Sequence, residues 1–177
     1  MKKILILAIA CLMIFTAVGC SQQQKEVNIA ITDIVEGIKG KIAEDMKAAG
    51  VSEDNFKEGK LPGYIETDLT TDDLQGQMNE IFNKEDIEEG IIIEQMMNVN
   101  SDLIIVLRAK DESKVDNLKL SLDKVREQQN TIWSTYLPDQ YEKVKNNMTI
   151  VEGKYLIYIT YEDTESIEAI FNNALNE

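Results

Sequence analysis

Two short apolar runs near the middle of the chain constrain its fold more than any other feature. Residues 91–93 are Ile-Ile-Ile, residues 103–107 are Leu-Ile-Ile-Val-Leu, and the turn-forming sequence Asn-Val-Asn-Ser-Asp lies between them. Such runs around a turn are typical of a hairpin or two neighbouring strands, predicted here over 90–97 and 103–108. Since neither run alternates with polar residues, we expect both strands to lie inside a sheet that is covered on both faces.

A long helix is predicted after these strands, over residues 111–136. Its apolar residues recur at helical spacing and are expected to face the sheet: Val115, Leu118, Leu122, Val125, Ile132 and Tyr136. The helix is expected to end near Pro138, because the residue before a proline disfavours the α conformation. Asp139 is then expected to cap a short turn over 140–146.

A second hairpin and a closing helix complete the prediction. The strands are predicted over 148–151 and 155–161, around a tight turn with Gly153 at its strained position. The three tyrosines of the last strand, Tyr155, Tyr158 and Tyr161, are expected to divide between core and rim. Thr164 is expected to cap the last helix. The apolar face of that helix contains Ile167, Ile170, Phe171, Ala174 and Leu175.

The order of these elements predicts the fold class. From residue 91 it is β-β-α-β-β-α, which predicts an α+β domain with a mainly antiparallel sheet and helices packed on it. An N-terminal helix is predicted from apolar residues spaced three or four apart: Val27, Ile31, Ile34, Ile38, Ile42, Met46 and Ala49. Thr32 or Asp33 is expected to cap its start and Gly50 its end. Residues 51–83 give weak signals, and we expect a loop and a short helix over 72–82 there.

The start of the chain has the layout of a secretory signal peptide. Lys2 and Lys3 precede fifteen uncharged residues, and Gly19 and Cys20 follow them. The sequence Ala-Val-Gly-Cys at 17–20 resembles the lipobox of bacterial lipoproteins. In those proteins the cysteine is acylated and becomes the new N-terminus.

The lipobox resemblance implies how the chain is divided and where it is located. It implies a signal peptide over 1–19 and a lipidated Cys20 that holds the protein at the outer face of the cell membrane. The polar residues that follow predict, with Cys20, a lipidated tether over 20–26, and the length of the remaining chain predicts one domain over 27–177. The alternatives are an uncleaved membrane anchor and an ordinary secreted protein. The apolar segment is short for a permanent membrane span, and ordinary cleavage does not require a cysteine after the glycine.

The composition excludes several kinds of site. The chain has no histidine, and its other cysteine, Cys11, lies within the predicted signal peptide. These facts exclude histidine-based catalytic triads, HExxH zinc sites and disulfides within the mature chain. We expect no enzymatic activity, no cofactor and no metal, and the net charge of −14 opposes binding to nucleic acid. Without a calcium-loop pattern, the acidic residues are interpreted as solvated surface: Asp68, Asp72, Asp73, Glu85, Asp86, Glu88 and Glu89.

Two groups of side chains are candidates for a binding site. The first group contains the polar residues of the turn between the first two strands: Asn98, Asn100, Ser101 and Asp102. The second group contains the aromatic residues around Pro138, which can anchor a partner or stack on a sugar: Trp133, Tyr136 and Tyr141. Each group also has a structural interpretation, in which the turn side chains bond their own backbone and the aromatic residues pack a helix end.

Several motifs in the second half of the chain resemble the DUF4358 family. They are Met-Asn-Val-Asn-Ser-Asp at 97–102, Ala-Lys-Asp at 109–111, Tyr-Leu-Pro-Asp-Gln-Tyr at 136–141 and Val-Glu-Gly-Lys-Tyr at 151–155. The family consists of small bacterial lipoproteins or membrane-anchored domains with no established activity. The resemblance implies a location and a fold, and it supplies no chemical mechanism.

The function that we expect is that of a lipid-anchored, extracytoplasmic module that binds and does not catalyse. Its partners are expected to be the membrane, through the N-terminal lipid, and an unidentified protein or small molecule. One alternative is an accessory lipoprotein that delivers a solute to a transporter. Another is a carboxylate-based cell-wall enzyme, which needs two carboxyl groups roughly 5–9.5 Å apart across a cleft.

Overall fold

The computed structural model of the chain describes residues 28–57, 59–71 and 78–176. Its helices and strands are, in order, α1 (Ile31–Ala48), β1 (Tyr64–Asp68), α2 (Met78–Ile81), β2 (Ile87–Gln95), β3 (Leu103–Ala109), α3 (Val115–Tyr136), α4 (Pro138–Lys145), β4 (Met148–Glu152), β5 (Tyr155–Thr160) and α5 (Thr164–Asn176). No helix of the described residues combines the length and apolar character needed to cross a membrane. The predicted signal peptide, Cys20 and the tether lie outside the described residues.

The strands form one sheet in the order β1-β2-β3-β5-β4, and every neighbouring pair is antiparallel. β3 lies at the centre, and all of its residues are buried, as its continuous apolar run predicts. Ile93 pairs with Ile104 across β2 and β3, which form the predicted hairpin. The predicted α+β class is confirmed, and from β2 onward the elements follow the predicted order with one added helix. The turn predicted after Pro138 is the helix α4.

Helices cover both faces of the sheet, because the central strands are apolar on both sides. On one face, side chains of α1 and α5 join alternate strand residues in one core cluster: Ile34, Ile38, Ile42, Ile104, Val106, Ile157, Ile159, Ile167 and Phe171. On the other face, α3 contributes Leu118, Leu122 and Val125 to a second cluster. Tyr155 and Tyr158 of β5 and Tyr161, which follows that strand, are all buried, so their expected division between core and rim is wrong.

The edge strand β1 is absent from the sequence prediction. Its sequence, Tyr-Ile-Glu-Thr-Asp, contains no apolar run, and pairing with β2 supplies the backbone hydrogen bonds that make it a strand. Of the helix predicted over 72–82, the described residues contain only Met78–Ile81. Residues 72–77 lie outside the described part of the chain.

The last two turns of α3 depart from the predicted apolar stripe. Ile132 is 48% exposed and Tyr136 is 54% exposed, whereas Trp133 is only 6% exposed. The core cluster on this face includes α3 side chains as far as Val125, so the end of the helix extends beyond that cluster. The buried side chain at the helix end is therefore that of Trp133, and the expected burial of Ile132 and Tyr136 is wrong.

The ends of α1 and α4 differ in part from the predicted caps. Gly50 follows α1 with a φ of +94°, which only glycine adopts readily, so the predicted end is confirmed. The residue that precedes the helix is Ala30, which makes no side-chain cap bond. The predicted caps Thr32 and Asp33 lie inside the helix instead. Asp139 likewise lies in the first turn of α4 and does not cap it.

Asp163, rather than Thr164, caps α5. Its Oδ1 accepts a hydrogen bond from Ser166 N at 3.1 Å, which is the usual bond of a helix cap. Its Oδ2 lies 3.0 Å from Lys41 Nζ on α1. The cap therefore also links the two helices that share this face of the sheet.

Asp86 contradicts the interpretation of the whole acidic stretch as solvated surface. It is 5% exposed, and its Oδ1 lies 3.1 Å from Lys114 Nζ. Its other oxygen accepts a hydrogen bond from the side-chain amide of Asn117 at 3.1 Å. This acid joins the start of β2 to the start of α3, which is a structural role.

The first described residues are bound to the sheet at the end of β3. Arg108 donates hydrogen bonds to Asn28 Oδ1 at 2.8 Å and to Glu89 Oε1 at 2.9 Å. Its Nε lies 3.2 Å from Glu88 Oε2, close enough for an ion pair but without hydrogen-bond alignment. The opposite end of β3, at Leu103, is about 17 Å away at ~3.4 Å per residue. The chain therefore enters the domain at the end of the sheet that is remote from the β2–β3 turn.

Candidate binding site

A cavity of about 470 Å³ lies where the β2–β3 turn meets the last turns of α3, and we call it the turn–helix pocket. Six of the seven residues predicted for a binding site line it: Asn98, Asn100, Ser101, Asp102, Trp133 and Tyr136. The seventh, Tyr141, does not line it and lies on α4, where Lys145 Nζ is 5.4 Å from the centroid of its ring. The fold thus brings together two groups that are distant in sequence.

The pocket also contains residues that the sequence analysis missed. They are Glu94, Gln95, Met97, Gln129 and Ile132. A signal for three of them is present in the sequence. Glu94 and Gln95 interrupt the apolar run of β2 immediately before the turn, and Gln129 interrupts the apolar stripe of α3.

A buried ion pair fixes the turn beside the pocket. Lys143 Nζ on α4 lies 2.6 Å from Asp102 Oδ1 and donates to Asn100 Oδ1 at 2.9 Å. Asp102 Oδ2 accepts a hydrogen bond from the Tyr64 hydroxyl at 2.6 Å. Burial and the neighbouring Asp102 carboxylate raise the pKa of Tyr64, so its hydroxyl stays a donor. Both oxygens of Asp102 are therefore engaged.

Further hydrogen bonds order the turn and attach it to α4. Asp102 N donates to Asn100 Oδ1 at 3.1 Å, which is the local bond that the structural interpretation of the turn predicts. Ser101 N donates to Gln140 Oε1 at 2.8 Å, and the Ser101 hydroxyl donates to the same oxygen at 3.1 Å. Ser101 is only 2% exposed. The turn is thus an ordered wall of the pocket, and its serine hydroxyl is enclosed.

Two aromatic rings form the wall that α3 contributes. The ring centroids of Trp133 and Tyr136 are 5.8 Å apart, and the rings are tilted by 54°, a favourable aromatic geometry. Trp133 Nε1 donates to Gln129 Oε1 at 2.8 Å, which satisfies the polar atom of the indole. Tyr136 is half-exposed, so its ring is accessible to a ligand.

Glu94 differs from Asp102 in its electrostatic environment. Its side chain is half-buried, and burial raises the pKa of its carboxyl group. No hydrogen bond or ion pair to this carboxyl from any described residue offsets the loss of water. Glu94 is therefore the uncompensated acid of the turn–helix pocket.

Exposed apolar side chains cluster beside the pocket. Of the eight large hydrophobic side chains exposed on the described surface, five lie in the turn or at the end of α3, and we call them the apolar rim: Met96, Met97, Val99, Ile132 and Tyr136. A concentration of exposed apolar side chains is typical of a binding surface. Methionine suits such a surface because its flexible, polarisable side chain adapts to different shapes.

A second cavity of about 630 Å³ lies near Phe82 and Asn117. It contains none of the residues predicted for a binding site, and Asp86 in its wall is already paired with Lys114. Among the described residues, no group of three or more His, Cys, Asp or Glu side chains is arranged to hold a metal ion. The turn–helix pocket is therefore the better candidate for a functional site.

Comparison with protein-family models identifies the family of the chain. A family model described as a domain of unknown function (DUF4358) matches residues 66–161. The match covers just over half of the 177 residues and includes every residue that lines the turn–helix pocket. No curated protein and no solved structure matches the chain significantly. The chain belongs to the DUF4358 family, which confirms the resemblance of its motifs.

Proposed function

We propose that this member of the DUF4358 family is a lipid-anchored, extracytoplasmic module that binds a partner and catalyses no reaction. The observation that carries the proposal is the turn–helix pocket, in which an ordered polar turn faces an aromatic wall beside the apolar rim. Pockets with a few fixed polar groups and aromatic anchors are typical of recognition sites. The sequence of residues 1–20 supports attachment to the cell surface.

The engagement of the polar side chains supports binding over catalysis. The Ser101 hydroxyl is enclosed and bonded to Gln140, and the chain has no histidine to activate it. Both oxygens of Asp102 are bonded to other groups, so this acid is not free to work with Glu94 as an acid–base pair. A carboxylate-based enzyme therefore has less support than a binding module.

The position of the pocket is consistent with an anchor at the other end of the domain. The chain enters the domain beside Arg108, and the β2–β3 turn lies at the far end of the same strands, about 17 Å away. A short tether from Cys20 holds the Arg108 end close to the bilayer. The turn–helix pocket then faces away from the membrane, where ligands and surface proteins reach it.

A lipoprotein that delivers a solute to a transporter is the second candidate, and the volume of the pocket favours it. Sites for small molecules typically enclose about 300–1,000 Å³, and the turn–helix pocket of about 470 Å³ falls within that range. The apolar rim favours a protein partner instead, because Met96 and Val99 are exposed but do not line the cavity. Stabilisation by solutes but not by peptides would indicate solute delivery, and stabilisation by peptides but not by solutes would indicate a protein partner.

Thermal unfolding tests the proposal with a matched pair of variants. A chain that begins at Ser21 is screened against amino acids, sugars, short peptides and purified cell-wall fragments. A ligand at 100 times its Kd stabilises the fold by about 2.7 kcal/mol, which is readily detected. Tyr136→Ala removes an exposed ring from the pocket. Leu120→Ala removes a similarly exposed side chain from the same helix, outside the pocket.

The two variants give opposite results if the pocket is the recognition site. A ligand that stabilises the wild-type chain and the Leu120→Ala variant, but not the Tyr136→Ala variant, supports the proposal. Equal stabilisation of the Tyr136→Ala variant by every ligand that binds would locate recognition elsewhere and overturn it.

A further inference from the structure

We propose that the turn–helix pocket binds an organic cation, an ammonium or guanidinium group, with Glu94 as its counter-ion and Trp133 and Tyr136 as its aromatic wall. This inference rests on the proposed function, since it names the class of ligand that the same pocket takes. The group belongs either to a free amine or to a lysine or arginine side chain of a partner.

The charges that line the pocket favour a cation. Its described lining contains two acids, Glu94 and Asp102, and neither lysine nor arginine. Lys143 compensates Asp102 at 2.6 Å, whereas no described residue compensates Glu94. A half-buried carboxylate without a partner is costly, because burial removes water without supplying another donor. A bound cation offsets that cost, so the pocket is complementary to positive charge.

The raised pKa of Glu94 has the same cause. Burial is the cause of the shift, and no opposing charge or hydrogen bond from the described residues lowers the pKa. A cation bound at the carboxylate would lower the pKa of Glu94, because it favours the ionised form. The geometry of the cavity and the direction of the shift therefore agree.

The aromatic wall supplies a second, independent attraction for an organic cation. Ammonium and guanidinium groups are attracted to the faces of tryptophan and tyrosine rings. Trp133 and Tyr136 both line the pocket, with their centroids 5.8 Å apart. The alkyl part of such a ligand meets apolar surface at Met97 and Ile132, which also line the cavity. The acidic charge, the aromatic rings and the apolar surface of the pocket thus all favour an organic cation.

Other ligand classes fit these residues less well. Glu94 would repel an anion, and the described lining contains no basic side chain to bind one. The net charge of −14 also repels anions at long range. A neutral ligand leaves the Glu94 carboxylate uncompensated. A metal ion requires several ligating side chains, and the described residues contain no such group.

The fluorescence of Trp133 provides a direct test, because it is the only tryptophan of the chain. The full chain, purified in a non-ionic detergent, is titrated with butylammonium, butylguanidinium, butanol and butyrate. Tripeptides Gly-Lys-Gly, Gly-Arg-Gly and Gly-Leu-Gly form a second set of probes. We expect a saturable change in emission with the cationic probes and little change with the neutral or anionic ones.

Variants of Glu94 test its assigned role. Glu94→Gln removes the charge and should weaken cation binding about tenfold or more, whereas Glu94→Asp keeps the charge and should retain most of it. Glu127→Gln removes the same charge from an exposed position of α3 that does not line the pocket, and it should change binding less than about twofold. Near-UV circular dichroism verifies that each variant is folded.

The outcomes separate this inference from the proposed function. Butanol or butyrate binding as tightly as butylammonium, or unchanged cation binding in the Glu94→Gln variant, would overturn the cation assignment and leave the pocket as a binding site. No response to any probe would also overturn it, and the Tyr136→Ala comparison would still test the binding function. Lysine or arginine peptides that bind more tightly than butylammonium or butylguanidinium indicate a partner's side chain, and the reverse order indicates a free amine.

Discussion

Lys143 and Asp102 form a buried ion pair, with 2.6 Å between Nζ and Oδ1, that joins α4 to the β2–β3 turn. Their side chains are only 11% and 6% exposed. Because α4 begins at Pro138, directly after α3, the pair also ties the turn to the aromatic end of α3. The shape of the turn–helix pocket therefore depends on Lys143, which does not line it.

Lys143→Met is expected to lower the free energy of unfolding by about 3 kcal/mol, because it leaves the Asp102 charge buried without a counter-ion. Chemical denaturation measures the change. Lys145→Met is the matched control, since Lys145 is 44% exposed and its ion pair with the exposed Glu142 and its contact with the ring of Tyr141 both lie within α4. Its effect should be below about 0.5 kcal/mol. Equal losses in the two variants would show that the buried pair adds no stability of its own.

Two glycines of α1 should respond differently to alanine. A Cβ at Gly40 meets no atom within 4 Å, so Gly40→Ala should stabilise the fold by about 0.5–1 kcal/mol through helix propensity. A Cβ at Gly37 lies 3.0 Å from Ile170 Cγ2 on α5, so Gly37→Ala must displace that side chain. Thermal unfolding should rank the Gly40→Ala variant above the Gly37→Ala variant. The reverse ranking would mean that α1 and α5 do not pack this closely.

Asp163 should make stability depend on pH in the acid range. Hydrogen bonds from Ser166 and contact with Lys41 lower its pKa from 3.8 to about 2. A carboxyl group with a lowered pKa stabilises the folded chain above its ordinary pKa, and this contribution disappears as the pH falls from about 4 to about 2. Asp163→Asn keeps a capping oxygen but does not titrate.

The sign of the pH effect follows from the unfolding temperatures of the wild-type chain and the Asp163→Asn variant, compared as the pH is lowered. The wild-type chain should unfold at a higher temperature than this variant near pH 5, and the difference should shrink as the pH falls towards 2. Glu168→Gln on the same helix serves as a control for the removal of an acid. A difference between wild type and Asp163→Asn that stays constant with pH would contradict the assigned ion pair with Lys41.

Cys20→Ser tests the proposed lipid anchor. In bacterial cells fed with labelled palmitate, the wild-type chain should incorporate the label and sediment with the membrane fraction. The Cys20→Ser variant should incorporate no label, because the thiol that carries the lipid is gone. Cys11→Ser, within the predicted signal peptide, is the matched control and should behave as the wild type. Labelling of the Cys20→Ser variant would rule out attachment at this cysteine.

The sequence predicted the central strands well because their signal is local. The continuous apolar run at residues 103–107 and the positive-φ glycine at Gly153 are each read from a few neighbouring residues. β1 was not predicted, because an edge strand forms its hydrogen bonds with its neighbour and needs no apolar run. The exposure of Ile132 and Tyr136 was not predicted, because helical periodicity does not show where the sheet beneath a helix ends.

The candidate site was predictable only as separate parts. The turn residue Asn100 and the helix residue Trp133 each carried a local signal, but only the packing of α3 across the sheet makes them walls of one pocket. Lys143 gave no clear signal, and the only signal of Glu94 is that it interrupts the apolar run of β2. The partner of Lys143 is forty-one positions away in the chain, and only the folded structure shows that no described residue is a partner for the Glu94 carboxyl group.

The most direct test of the central claim is to map ligand contacts on the backbone of the chain by nuclear magnetic resonance. An isotope-labelled chain that begins at Ser21 is titrated with butylammonium, butanol and butyrate, and amide shifts are followed. We predict saturable changes confined to residues 94–102 and 129–136 for butylammonium. Titrations that leave both segments unaffected would contradict recognition of an organic cation at the turn–helix pocket, and changes centred on the cavity near Phe82 and Asn117 would locate cation binding there instead.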